Sequence, residues 1–123
     1  MDNLIYAYTR AQAIADGVLV DVSKLAREAG FKIPVAVTCG VWAECVAVPK
    51  GVLCQDETGR LWDVLMMLRH AIAKNSDGER VDFALHVRND NEERTPPLVS
   101  LYALCGPGDD AEPVVTVMLP TED

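Results

Sequence analysis

The sequence predicts a single α+β domain over residues 1–123, with N-terminal helices packed on one face of a C-terminal three-stranded antiparallel sheet. The first observation is the pattern, since residues 1–74 carry helix start and stop signals, whereas residues 75–123 alternate apolar and polar residues as strands do. The second is that short turns separate the apolar segments of the second half, which favours antiparallel neighbours. The third is size, because 123 residues that are 50% apolar can bury one core without disulfides or metals.

Two short helices are expected at the start of the chain. Thr9 is placed to cap a helix over residues 10–16, and Ser23 is placed in the same way before residues 24–29. Each predicted helix ends at a glycine, and the apolar segment 18–22 is expected to link them. Helices of this length are unstable alone, so both must dock on the rest of the domain.

Residues 31–38 alternate apolar and other side chains, which is typical of a strand. Pro34 has no N–H to donate to a sheet, so the segment is expected to be an edge strand or an extended link. Thr38 is then placed to cap a third helix that runs through Val46.

The longest predicted helix covers residues 60–74 and follows a turn over residues 56–59. Leucine and valine residues recur along it at the spacing i, i+3, i+4, i+7, which marks one buried face. Trp62 and Met66 widen this face, so the helix is expected to be buried on more than one side. Trp42 and Trp62 are both expected in the core.

Three strands are predicted in the second half, near residues 81–88, 98–105 and 113–119. Turns over residues 89–97 and 106–111 join them, so successive turns fall at opposite ends of the sheet. The C-terminal tail leaves the last strand at the end that carries the first of these turns.

The whole net charge of −8 comes from residues 75–123, where eleven acids face three arginines, while residues 1–74 hold eight acids and eight bases. A dense field of one sign repels nucleic acid and attracts cationic partners. The acids are expected to gather in both turns and in the tail, as a band along the sheet. The carboxylates predicted to bind a partner are Asp82, Asp90, Glu92, Glu93, Asp109, Asp110, Glu112, Glu122 and Asp123.

The sequence carries no recognisable catalytic or cofactor motif, so a non-enzymatic protein without cofactors or metals is expected. Asp109, Asp110 and Glu112 offer carboxylates to a divalent cation but lack the ligand spacing of a calcium loop, and a solvated turn is favoured. The two histidines and four cysteines show no zinc spacing. Without a Cys-x-x-Cys pair, a signal peptide or a membrane span, we expect free thiols and a cytoplasmic location.

Three segments are similar to a family of small acidic proteins of unknown function that are carried on bacterial plasmids and integrative elements. They are YTRAQAIADGVLVDVS at residues 8–23, QDETGRLWDVL at residues 55–65 and CGPGDDAEPV at residues 105–114. The resemblance supplies no catalytic residues. It implies a setting in which such proteins counter host defence, as anti-CRISPR and anti-restriction proteins do.

The charge and the resemblance together predict an inhibitor that binds a basic, nucleic-acid-handling host complex, such as a Cas or restriction subunit. Binding is expected through the acidic surface or by imitation of DNA, with no direct binding to nucleic acid or membrane. One alternative is an accessory protein, or a homodimer joined through an uncovered sheet face, whose acids only keep it soluble. Another is an enzyme that uses the acidic turns with a divalent metal.

Overall fold

The computed structural model describes residues 8–74, 78–92 and 94–122 of the chain. The strands are β1 (Leu19–Asp21), β2 (Val35–Thr38), β3 (Arg80–His86), β4 (Leu98–Pro107) and β5 (Pro113–Met118). The helices are α1 (Arg10–Ala15), α2 (Ser23–Glu28), α3 (Cys39–Val41), which continues as a π-helix over Trp42–Val46, and α4 (Glu57–Lys74).

The fold is α+β as predicted, but the sheet formed by the described residues has five strands, in the order β1-β2-β5-β4-β3. The three C-terminal strands are antiparallel neighbours, as expected from their short connections. The prediction of a three-stranded antiparallel sheet is wrong, because β2 pairs in parallel with β5 and β1 pairs antiparallel with β2. The N-terminal half therefore contributes two strands as well as helices.

Both additional strands come from segments whose signals were weak. The predicted link 18–22 contains β1, a strand of only 3 residues, which is too short to show a clear alternation. Pro34 stands just before β2, and its carbonyl accepts the Val115 N–H at 2.9 Å. The missing N–H of Pro34 therefore falls outside the strand, and β2 lies between β1 and β5 with all four residues buried.

The helix starts follow the predicted caps in part. Thr9 forms a capping box with Gln12 at the start of α1, and the Thr38 hydroxyl accepts the Val41 N–H at 3.1 Å, so both of these caps are confirmed. Ser23 does not cap α2, because its hydroxyl donates to the Asp21 carboxylate at 2.6 Å. The longest helix starts three residues earlier than predicted.

The main core lies between one face of the sheet and the helices α2, α4 and the π-helix. Leu65 and Leu68 of α4 are fully buried in the same hydrophobic cluster as core-facing strand residues such as Val37 and Val117. Each leucine buried in this way contributes roughly 2 kcal/mol relative to an exposed position.

Helix α1 lies on the opposite face of the sheet from the core. Its Arg10 guanidinium donates to the Thr116 hydroxyl at 2.7 Å and to the Val115 carbonyl at 2.9 Å. The Thr116 side chain alternates with the core-facing side chains of Val115 and Val117, so it points away from the core. The helices therefore cover both faces, and the prediction of helices on one face is wrong.

Candidate functional site

Two acids of the β4–β5 turn take part in hydrogen bonds within the fold. The Asp109 carboxylate accepts the Arg10 N–H at 2.7 Å and the Ala11 N–H at 3.0 Å, so it caps α1 from 99 residues away. The Glu112 carboxylate accepts the Asp110 N–H at 2.9 Å. The two backbone hydrogen bonds from α1 lower the pKa of Asp109 below its usual range.

Helix α1 is expected to loosen from the sheet in acid because its cap then becomes protonated. The folded pKa of Asp109 is lowered, so its contribution to stability is present above the unfolded pKa and is lost as pH falls through the folded pKa. We expect the protection factors of the Arg10 and Ala11 amide protons, which are exchange rates measured by NMR relative to the intrinsic rate at each pH, to fall below about pH 4. Asp109→Asn should remove this pH dependence and Asp110→Asn should keep it; equal behaviour of the two variants would contradict the cap.

The acid of the C-terminal tail is also part of the fold. One oxygen of Glu122 accepts the Thr38 hydroxyl at 2.7 Å and the Leu119 N–H at 2.8 Å. The Glu122 carbonyl accepts the hydroxyl of Tyr102. A Cβ added at Gly40 would lie 2.7 Å from the other Glu122 carboxylate oxygen, so the tail packs closely over the start of α3.

The remaining predicted acids are spread over the sheet and the β3–β4 loop. Asp82 forms an ion pair with Arg80 at 3.0 Å, and Asp90 accepts the Glu92 N–H at 3.0 Å. Arg88 donates to two carbonyls of the same loop, so the loop carries positive charge beside its acids. The side chains of Glu92 and Asp110 are exposed. Glu93 and Asp123 lie outside the described residues.

A groove between α2 and the first half of α4 joins apolar and acidic side chains. It consists of two adjoining depressions of about 590 and 360 Å³, which share Leu25, Glu28 and Thr58 in their walls. Valine, leucine and tryptophan residues supply the apolar lining. They are Val20, Val22, Leu25, Trp42, Leu61 and Trp62.

Exposed carboxylates also line this groove, although they belong to the half of the sequence that has no net charge. They are Asp21, Glu28, Asp56, Glu57 and Asp63. Lys24 also lines the groove, whereas the Arg60 guanidinium is turned into the fold. An ionised carboxylate has several acceptor sites, so Asp56 can cap α4 through the Gly59 N–H at 2.7 Å and still face a cationic partner.

Sequence reasoning missed this groove because its walls are distant in the chain. Trp62 was expected in the core, but 37% of its surface is exposed, and Trp42 is half-buried. Part of the groove could have been recognised within α4. Thr58 and Trp62 are four residues apart, so they lie on the same face of the helix, and Asp63 directly follows Trp62. Glu28 and Asp21 line the groove only because α2 and β1 pack beside α4 in the folded domain, and no local sequence pattern predicts that packing.

Arg60 fixes the wall behind the groove. Its side chain is only 5% exposed and donates to the carbonyls of Cys45 at 3.1 Å and Glu44 at 3.3 Å. It also donates to the Arg88 carbonyl and, at 2.7 Å, to the Asn89 side-chain oxygen. Burial lowers the pKa of Arg60, but a guanidinium remains charged at neutral pH. One cation therefore joins the π-helix, α4 and the β3–β4 loop.

The cysteines and the other polar side chains form no recognisable reaction centre in the part of the chain that the structure describes. Burial raises the pKa of the Cys45 thiol to about 11, so it stays protonated at neutral pH. Within residues 8–74, 78–92 and 94–122, no three His, Cys, Asp or Glu side chains converge as metal ligands. Over the same residues, no helix combines the length and the apolar character needed to cross a bilayer.

The model of a family of unknown function, DUF6573, matches residues 1–123. The chain belongs to this family. No curated protein and no solved structure matches the chain. The expectation of an uncharacterised family is therefore confirmed, and the origin of DUF6573 on mobile elements stays a prediction.

Proposed function

We propose that this member of DUF6573 is a non-catalytic protein that binds a basic, nucleic-acid-handling protein. The proposal includes a role on a mobile element, where the chain inhibits a host-defence complex of the CRISPR or restriction type. The observation that carries it is the α2–α4 groove, where exposed carboxylates line each of the two depressions beside a tryptophan. Apolar anchors with complementary charge around them are the usual composition of a protein-binding surface.

The groove favours docking of a basic segment over imitation of DNA. A DNA mimic needs rows of carboxylates, because duplex DNA carries one charge about every 1.7 Å along its axis. The predicted acids of the turns and tail lie on several separate elements, and Asp109, Glu112 and Glu122 accept hydrogen bonds from their own chain, as Asp21 and Asp56 of the groove also do. The groove suits a lysine- or arginine-rich segment with apolar side chains that reach Leu25 and Trp62, and the indole ring adds attraction for a cation.

Titration against purified defence complexes tests the class of partner. We expect the chain to bind a basic subunit of a CRISPR effector or restriction complex and to reduce its binding to DNA. Affinity should fall steeply as salt rises, since the carboxylates around the groove are exposed. Binding to none of a panel of such complexes, or binding that is unaffected by salt, would refute the proposed function.

A further inference from the structure

Strand β3 forms one edge of the sheet, and its outer side is open in the described part of the chain. The Val87 N–H donates to the Pro97 carbonyl and the Cys105 N–H donates to the Glu79 carbonyl. The backbone N–H and C=O groups of the odd-numbered residues therefore form the hydrogen bonds to β4. The backbone groups of the even-numbered residues point away from β4, toward the open side; these residues are Arg80, Asp82, Ala84 and His86. At 7 residues, β3 is a long edge, and long open edges are templates for pairing with another chain.

An apolar patch lies beside this open edge. Met66 and Met67 of α4 are 36% and 39% exposed, and Leu98 at the start of β4 is 62% exposed. They line a depression of about 350 Å³ together with Asp63, Ala84, Leu85 and His86. A chain that paired with β3 would therefore also cover apolar surface.

The edge is complementary to itself in one antiparallel register. When Ala84 faces Ala84 of a second copy across a twofold axis, Asp82 of each copy lies opposite His86 of the other. The His86 Nδ1 lies 2.7 Å from the Pro96 carbonyl, which leaves Nε2 for the facing carboxylate. Arg80 lies opposite position 88 of the second copy, where the Arg88 guanidinium is turned toward the carbonyls of its own loop.

We infer that the open edge of β3 pairs with β3 of a second copy of this chain, so that two five-stranded sheets join into one. The exposed backbone groups supply the hydrogen bonds, the Asp82–His86 pairs set the register, and the patch of Met66, Met67 and Leu98 is covered at the same junction. This inference does not depend on the proposed partner: Asp63 lines both the α2–α4 groove and the depression beside β3, but the pairing rests on β3, which lies outside the groove.

Disulfide trapping tests the register directly. The background variant has serine in place of the three exposed cysteines, Cys39, Cys54 and Cys105. A single new cysteine is then introduced by Ala84→Cys for the test or by Ser100→Cys for the control. Ser100 lies opposite Ala84 on β4, one strand further from the twofold axis. Directly opposed positions are about 5.5 Å apart at Cα, within reach of a disulfide. We expect oxidation to link copies of Ala84→Cys at least about tenfold faster than copies of Ser100→Cys.

Sedimentation of the unmodified chain and of Ala84→Pro completes the test. Proline at Ala84 removes an outward N–H and is tolerated on an edge, so the variant should stay folded but sediment as a monomer. Circular dichroism identifies a variant that fails to fold, in which case Ala84→Asp, which places like charges on the axis, replaces it. A monomeric unmodified chain, or equal cross-linking of the two cysteine variants, would overturn the inference.

Discussion

Arg60→Met is expected to lower the free energy of unfolding by about 3 kcal/mol, measured by urea denaturation. The substitution keeps the apolar stem but removes the guanidinium that donates to Cys45, Glu44 and Asn89, and the Glu44 carbonyl retains the Asn89 side-chain amide as a donor. Their oxygen atoms then lose partners at a position where the replaced side chain is only 5% exposed, and unsatisfied buried acceptors are costly. Arg60→Lys is not expected to restore stability, because one ammonium group cannot match the geometry of the guanidinium.

Arg69 provides the matched control on the same helix. Its side chain is exposed, so Arg69→Met should change the free energy of unfolding by no more than about 0.5 kcal/mol. Equal destabilisation by the two substitutions would show that Arg60 is not the link between the π-helix, α4 and the β3–β4 loop.

Trp62→Ala is expected to weaken binding of a basic partner by about 30-fold, which corresponds to about 2 kcal/mol. Trp62 is 37% exposed and lines the groove, so its removal takes away an apolar anchor from a depression that carboxylates also line. A suitable probe is a synthetic amphipathic helix with lysines on one face and leucines on the other, titrated by calorimetry at low salt.

Met67→Ala is the control for this loss of apolar surface. Met67 is 39% exposed on the same helix but does not line the groove. Its truncation should leave the dissociation constant of the peptide within about twofold of the unmodified chain. A loss of affinity as large as that of Trp62→Ala would mean that the peptide binds any apolar surface of α4.

Local signals in the sequence predict much of this fold. The repeating apolar positions of α4 correctly identify Leu61, Val64, Leu65 and Leu68 as buried, and the Thr9 and Thr38 hydroxyls mark true helix starts. The alternation in residues 81–87 predicts the core side of β3. These features depend on neighbours a few residues away, so a single sequence contains the information.

Features that depend on distant partners could not be predicted. The parallel pairing of β2 with β5 joins segments about 80 residues apart, and the three-residue β1 is stable only because β2 lies beside it. Asp109 looks like a solvated turn residue until the structure places it at the start of α1. The net charge of a segment does not identify a binding surface either, because a carboxylate that caps a helix contributes the same charge as one that faces a partner.

The most direct test compares two pairs of neutralised acids against the same cationic peptide, at low salt. The groove variant combines Glu28→Gln with Asp63→Asn. The loop variant combines Glu92→Gln with Asp110→Asn, which are exposed acids of the loops between strands, so each variant loses two negative charges. If the groove is the binding site, the first pair weakens binding about tenfold and the second less than about twofold. Equal loss in both variants, or a larger loss in the loop variant, would contradict the central role of the groove.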